Sequence, residues 1–401
     1  MAGRPDGSAR LVEVASTFLR LGCTSFGGPI AHLGYFRSEI VEKQRWLDDA
    51  RYADLVALCQ FLPGPASSQV VFALGMHRAG LAGAVVASVC FTLPSALLML
   101  AFAYGMVHVD VRDAGWLRGL RLAAVAVVAQ AVWAMGRKLC PDRARAAIAL
   151  GAASLLLVVP GAPTQIGTIF AGGAGGWWLY RDAVSAPGGP VDVPTVRGGR
   201  LALAALLLFA TLLVVLPVLV AATGSSEIAM IDAFYRAGSL VFGGGHVILP
   251  LLRAELVPPG WIDDDAFLAG YAAAQAVPGP LFTFSAYLGA VMREGSGGWT
   301  GGLACLLAIF APAWLLVGGA LPFWTRLRAE RGAQATLAGA NAAVVGVLLA
   351  ALYDPIFTES VRGPRDAAAA LGAFGLLEIT KAPPWVAVAA CAAAGQWLLP
   401  P

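Results

Sequence analysis

The feature that most constrains this chain is a duplication of apolar segments that are themselves broken by Gly and Pro. Phe18-x-Arg20-x-Gly22-x3-Phe26-Gly27-Gly28 recurs as Phe234-x-Arg236-x-Gly238-x3-Phe242-Gly243-Gly244. Arg37-x-Glu39 recurs as Arg253-x-Glu255, and Trp46-x-Asp48-Asp49 as Trp261-x-Asp263-Asp264. Gln60-x2-Pro63-Gly64-Pro65 recurs as Gln275-x2-Pro278-Gly279-Pro280, followed by Arg78, Gly80, Gly83 and Cys90 against Arg293, Gly295, Gly298 and Cys305. The order is kept and the register slips by one residue, so the chain carries two copies of one unit.

The solvent for such a unit follows from composition. Of 401 residues, 58% are hydrophobic and 13% charged, where a soluble domain carries about 25% charged residues. The mean hydropathy is +0.74. Soluble and disordered classes are excluded, and a polytopic all-helical membrane protein is expected. About thirteen apolar stretches can be marked, giving ten to thirteen spans. They lie near 14–35, 52–74, 79–107, 116–136, 144–159 and 164–180, then near 200–222, 230–252, 266–291, 299–323, 333–353, 365–379 and 383–399. Residues 181–199, with Pro187, Gly188, Gly189 and Pro190, read as a linker between halves 1–180 and 200–401. If every stretch crosses, an odd number separates the two copies, which makes an inverted-topology repeat. Lys and Arg in the short loops favour a cytoplasmic N-terminus. The loop holding Arg37, Lys43, Arg45 and Arg51 fits that scheme badly, which suggests that residues 18–36 dip into the membrane and return.

Pro removes a backbone donor and interrupts its helix. In lipid, the freed groups cost several kcal/mol unless they face protein or water. Breaks at matched places in both halves therefore point to half-helices ending at a polar site, and helix N-termini there favour an anion. The candidate substrate contacts are Arg20, Phe26, Gly27, Gly28, Gln60, Pro63, Gly64 and Pro65. Their partners in the second copy are Arg236, Phe242, Gly243, Gly244, Gly245, His246, Gln275, Pro278, Gly279 and Pro280. Arg20 and Arg236 suit bidentate oxyanion binding, or alternatively snorkel to an interface. Gln60 and Gln275 could donate to an oxyanion, with Ser67, Ser68, Thr283 and Ser285 nearby. Arg37, Glu39, Arg253 and Glu255 are candidates for gating pairs. Asp54, aligned with Ala269, is a coupling candidate or a helix cap. Trp46 and Trp261 read as interface anchors beside helix caps. Asn341 and Glu378 stand out as polar residues in apolar stretches.

Other chemistry finds little support. The six cysteines are scattered without C-x-x-C, and the four histidines show no ligand spacing, so no metal is expected. No dinucleotide fingerprint or haem motif appears, so neither a cofactor nor an enzyme is expected. A net charge of +3 without a basic patch excludes nucleic acid as a partner. No removable signal peptide is visible.

The paired Phe-Gly-Gly and Gln-x-x-Pro-Gly-Pro blocks, with Trp-x-Asp between them, resemble the chromate ion transporter superfamily in its long form with two fused halves. The resemblance covers roughly residues 14–105 and 230–325. It implies export of the chromate dianion across the bacterial inner membrane, with chromate resistance. It also implies sulfate as a competing or exchanged oxyanion and coupling to the proton-motive force. The lipid bilayer and a homodimer complete the expected partners. Gly-Gly-Pro29 in one copy faces Gly-Gly-Gly245 in the other, so the two sites need not be equivalent. Energetics favour export: a charge crossing 100 mV is worth about 2.3 kcal/mol, so a dianion leaving an inside-negative cell gains roughly 4.6.

Overall fold

The structure, a computed structural model, describes residues 7–26, 28–108, 115–181, 199–241, 247–324 and 330–397. It is helical throughout, with no strand among the described residues. The first copy contains α1 (Gly7–Thr24), α2 (Gly28–Arg37), α3 (Asp49–Phe61), α4 (Ala66–His108), α5 (Gly115–Leu139), α6 (Arg143–Val158) and α7 (Ala162–Tyr180). Helix α8 (Gly199–Thr223) leads to the second copy: α9 (Ser226–Leu240), α10 (Ile248–Leu256), α11 (Asp264–Ala276), α12 (Phe284–Val291) and α13 (Gly298–Ala320). It ends with α14 (Arg331–Ala351), α15 (Pro364–Glu378) and α16 (Pro384–Trp397). The expected linker around Pro187–Pro190 lies outside the described residues.

Among the described residues, five helices are long and apolar enough to cross a membrane. The longest, α4, has 43 residues, which as a straight rod would measure about 65 Å, roughly twice the hydrocarbon core. It is not straight. Ala79 and Gly80 leave helical geometry, Gly80 at φ +66°. A Cβ on Gly75 would lie 2.4 Å from the Gly83 carbonyl oxygen, an approach impossible between residues eight apart in one helix. The chain reverses here, giving arms α4a (66–78) and α4b (81–108). Gly289 and Gly301 touch in the same way between α12 and α13. Only glycine lets two backbones come this close.

Similar reversals occur at the Gly/Pro breaks. In the second copy Tyr287, seven residues past Pro280, donates its hydroxyl to the Ala266 carbonyl at 2.9 Å and covers Gly270. The Phe284 ring meets Phe267 and Tyr271 at 5.1 and 5.9 Å. Helices α11 and α12 therefore lie antiparallel, with Pro278-Gly279-Pro280 at the tip. At the open end the Arg293 amide donates to the Trp261 carbonyl. The first copy closes at the same place, where His77 bonds the Trp46 carbonyl. Its tip is Pro63-Gly64-Pro65. Helix α1 folds back on α2 likewise: Phe18 meets Phe36, Gln44 donates to Thr17, and Trp46 donates to Glu13. Each copy therefore begins with two successive helical hairpins. The apolar stretches near 14–35, 52–74, 230–252 and 266–291 are these hairpins, each holding a Gly/Pro break within it.

The two copies are interlocked. Helix α5 of the first packs on α15 and α16 of the second, with Gly119 against the Cys391 carbonyl. Helix α14 of the second packs on α6 and α7 of the first, with Gly339 against Gly172 and Gly176. On the outside, Leu81, Val85, Val89, Leu93 and Leu97 of α4b form an exposed apolar stripe at four-residue spacing. Helix α8 exposes Leu201, Leu207, Val214 and Val218. Such faces suit lipid and not water.

Candidate functional site

The hairpin tips meet across the two copies. The Gly64 amide donates to the Val241 carbonyl at 2.7 Å, and the Gly279 amide donates to the Ser25 carbonyl at 2.8 Å. Ser25 and Val241 occupy the same place in the duplication, immediately before Phe26 and Phe242. The second tip of each copy thus rests on the first tip of the other. Both glycines hold positive φ, +125° at Gly64 and +96° at Gly279, where a Cβ is strained. Such a Cβ would also strike Gln69 at Gly64 and the Ser95 hydroxyl at Gly279. These two amides are spent on carbonyls. Expected as anion donors, they serve to lock the tips together.

The side chains around the tips differ between copies. In the first, the hydroxyls of Ser25 and Ser68 are buried with no hydrogen-bond partner among the described residues. Gln69 donates from Nε2 to the Pro63 carbonyl at 2.7 Å, and His32 bonds the Ser25 carbonyl at 3.1 Å. In the second copy, Thr283 donates to the Pro280 carbonyl at 2.8 Å and Ser285 to the Phe282 carbonyl at 2.7 Å. A buried hydroxyl without a partner is costly. Two of them lie beside the tips without a partner among the described residues.

Gln60 is exposed to a cleft of about 400 Å³ between α3 and α14. Asp54 lines it from α3, Lys138 and Arg145 from α5 and α6, and Gln334 and Asn341 from α14. Trp324 closes one wall. Gln275 is half-buried and hydrogen-bonded to Tyr271 in the packed α11. The structure thus brings together Asp54, Gln60 and Asn341, which sequence spacing leaves apart.

The matched arginines lie away from the tips. Arg20 pairs with Glu39, and Arg236 with Glu255 at 3.1 Å and Asp232 at 2.7 Å. Both clamp the first hairpin of their copy, so each guanidinium is neutralised by its own matched Glu. Arg37 and Arg253, grouped with Glu39 and Glu255 as candidate gating pairs, are not bonded to them. They pair instead with Asp49 and Asp264, the first residues of α3 and α11. This second duplicated ion pair joins hairpin to hairpin. Arg253 also reaches Glu359. Trp46 is buried under the Arg78 guanidinium, 5.3 Å from its ring centre, while Asp48 caps α3 by accepting from the Arg51 amide at 2.8 Å. Gly28 holds φ +76° at the first tip. Gly27, Phe242, Gly243, Gly244, Gly245 and His246 lie outside the described residues.

Sequence reasoning missed Ser25, Gln69, Lys138, Arg145, Gln334 and Trp324. Ser25 was within reach, because it is a polar residue where the other copy has Val241. The cleft residues come from four helices far apart in sequence, and no spacing could join them.

Among known proteins, a model for the chromate transporter family matches residues 12–177 and again 228–396. The chain is 30% identical to a chromate transport protein of Pseudomonas aeruginosa over 88% of this chain and 82% of that one. It is 27% identical to a chromate transport protein of Cupriavidus metallidurans, covering 85% and 82%. A probable chromate transport protein of Synechococcus elongatus is 25% identical over 85% and 84%. No solved structure matches the chain. With both copies matched by one model and relatives aligned over most of their length, the chain belongs to the chromate transporter family.

Proposed function

We propose that this protein carries chromate, a tetrahedral dianion, out of the cytoplasm across the bacterial inner membrane, with sulfate competing for the same site. The observation that carries the reading is the cross-copy meeting of the hairpin tips beside two buried hydroxyls that lack acceptors. Ser25 and Ser68 donate to the oxyanion, Gln60 hands it in from the cleft, and the N-terminal turn of α4a contributes its positive dipole end. Arg20 and Arg236 hold the hairpins and tune the site from a distance.

The topology we favour treats the two hairpins of each copy as re-entrant, because arms of 13 residues in α3 and α11 reach only about 20 Å. Helices α4b, α5, α6, α7 and α8 then cross, an odd number, which inverts the second copy relative to the first. Halves 1–180 and 200–401 thus face opposite sides, with 181–199 between. With the N-terminus cytoplasmic, the loop of Arg37, Lys43, Arg45 and Arg51 falls inside, with Arg137, Lys138, Arg143 and Arg145. That removes the charge misfit of a scheme in which every stretch crosses. Movement of one copy against the other exposes the tips alternately, and the membrane potential drives the dianion outward.

Uptake of chromate into inverted, energised vesicles tests this. Accumulation that excess sulfate reduces, and that Ser25→Ala or Gln60→Ala lowers, is expected. Sulfate uptake without chromate uptake would keep the architecture and change the substrate. Flux that never saturates with chromate and that an opposing pool of sulfate does not accelerate would make the protein a channel. No flux of either anion through sealed vesicles would remove the reading.

A further inference from the structure

The duplication makes the α3–α14 contact equivalent to the α11–α5 contact, since α3 corresponds to α11 and α14 to α5. The two are built differently. Helix α11 packs directly on α5, and Asp265 at the start of α11 pairs with Arg121, whose side chain is 9% exposed. Across the pseudo-symmetry, α3 stands off α14 and the 400 Å³ cleft fills the gap. Its lining is mixed: against an apolar wall that includes Phe61, Leu139 and Leu337 stand Gln60, Gln334 and Asn341, with two cations, Lys138 and Arg145, and one carboxylate, Asp54. Arg145 shares its charge with Asp142. Where Asp54 stands in α3, α11 has Ala269, buried in the packed interface.

Taking the orientation proposed above, Lys138, Arg145 and Gln334 belong to the cytoplasmic ends of their helices, Asn341 to the middle of α14, and Asp54 and Gln60 to α3 on its way inward to the tip. Arg121 and Asp265 belong to the opposite ends. We propose that the α3–α14 cleft is the cytoplasmic entrance by which the oxyanion reaches the tips, and that the α5–α11 contact, fastened by Arg121 and Asp265, is the closed exit gate. The protein is thus seen open to the cytoplasm. Transport requires the two contacts to exchange: α3 closes on α14 while α11 parts from α5. Lys138 raises the local anion concentration at the entrance, and the amides of Gln60, Gln334 and Asn341 replace water around the ion. This inference rests on the oxyanion-transport reading for the identity of the passenger, and on the inverted topology for the sides.

Sided labelling tests it independently of flux. Asn341→Cys should react with a membrane-impermeant anionic thiol reagent from the cytoplasmic face only, above the rate of the unsubstituted chain, whose one exposed cysteine among the described residues is Cys23. Chromate should slow that reaction. Joining Arg121→Cys to Asp265→Cys with a short bis-methanethiosulfonate, which forms a disulfide with each thiol by releasing sulfinate, should lower transport at least tenfold, reversibly on reduction, while Asn341→Cys stays reactive. Single-cysteine controls receive the same linker. If the paired variant does not fold, Lys138→Gln gives a second readout: KM for chromate rises several-fold and loses salt dependence, while kcat is kept. Reaction of Asn341→Cys from the external face, or from neither, overturns the entrance. Undiminished flux in the linked protein overturns the gate. One-sided labelling that survives the linker in a protein moving neither chromate nor sulfate upholds the entrance and removes the oxyanion reading.

Discussion

The two hairpin pairs have the same motifs, the same ion pairs and the same reciprocal tip contact, yet their surroundings differ. In the second copy Phe267, Tyr271, Phe284 and Tyr287 fill the space between the arms, and Gln275 and Thr283 are satisfied locally. In the first, Gln60 faces a cleft, and the buried hydroxyls of Ser25 and Ser68 have no hydrogen-bond partner among the described residues. Backbone geometry repeats because the glycines and prolines that dictate it repeat. The side chains around that backbone do not repeat, because a duplicated gene changes them freely without disturbing the fold.

Substitutions at matched positions are the means to break this comparison. The largest effect is expected where the copies are alike. Gly83→Leu and Gly301→Leu, at the tight crossing of each copy although not in the same register, each place a side chain against a carbonyl now within about 2.4 Å of where their Cβ would be, at a cost of several kcal/mol. Both should abolish monodisperse protein in detergent, and survival of either would deny the tight reversal in that copy. Next come the ion pairs that join hairpin to hairpin. Arg253→Ala strands the largely buried Asp264, whose side chain is 16% exposed, and should cost about 2–3 kcal/mol. Arg37→Ala removes an exposed pair and should leave the unfolding midpoint unchanged. Equal shifts in a thermal melt would show that burial does not separate them.

A smaller, functional contrast is expected at the matched glutamines. Gln60→Ala should lower chromate flux about tenfold, the loss of roughly 1.4 kcal/mol, while Gln275→Ala should leave flux within about threefold. The reverse order would move the binding surface to the second copy. The smallest effect belongs to the hydroxyls: Ser25→Ala or Ser68→Ala should weaken chromate binding by about 1 kcal/mol, and Thr283→Val should not. Protein stability should be unchanged or slightly raised by the serine changes, since each removes a buried group without a partner. A loss of stability with unaltered affinity would make both serines structural.

Much of this was legible in the chain, and for definite reasons. Helical breaks at Pro63-Gly64-Pro65 and Pro278-Gly279-Pro280 are local consequences of proline's missing donor and of glycine's tolerance of positive φ, so sequence alone determined them. The duplication, the lipid-facing character and the family resemblance are also properties of residue order. Pairing was not legible. Arg37 and Glu39 stand two residues apart and bond to different partners, because side chains at that spacing on a helix point apart. Only tertiary structure decided that each Pro-Gly-Pro tip would rest on the other copy's first hairpin, and that Asp54, Gln60, Lys138 and Asn341 would share one cleft. Contacts between distant segments depend on how surfaces close over one another, and two copies with one pattern can close on themselves or on each other. Here the crossing glycines Gly119, Gly172 and Gly339 let the backbones of opposite copies approach, and that approach chose the interlocked arrangement.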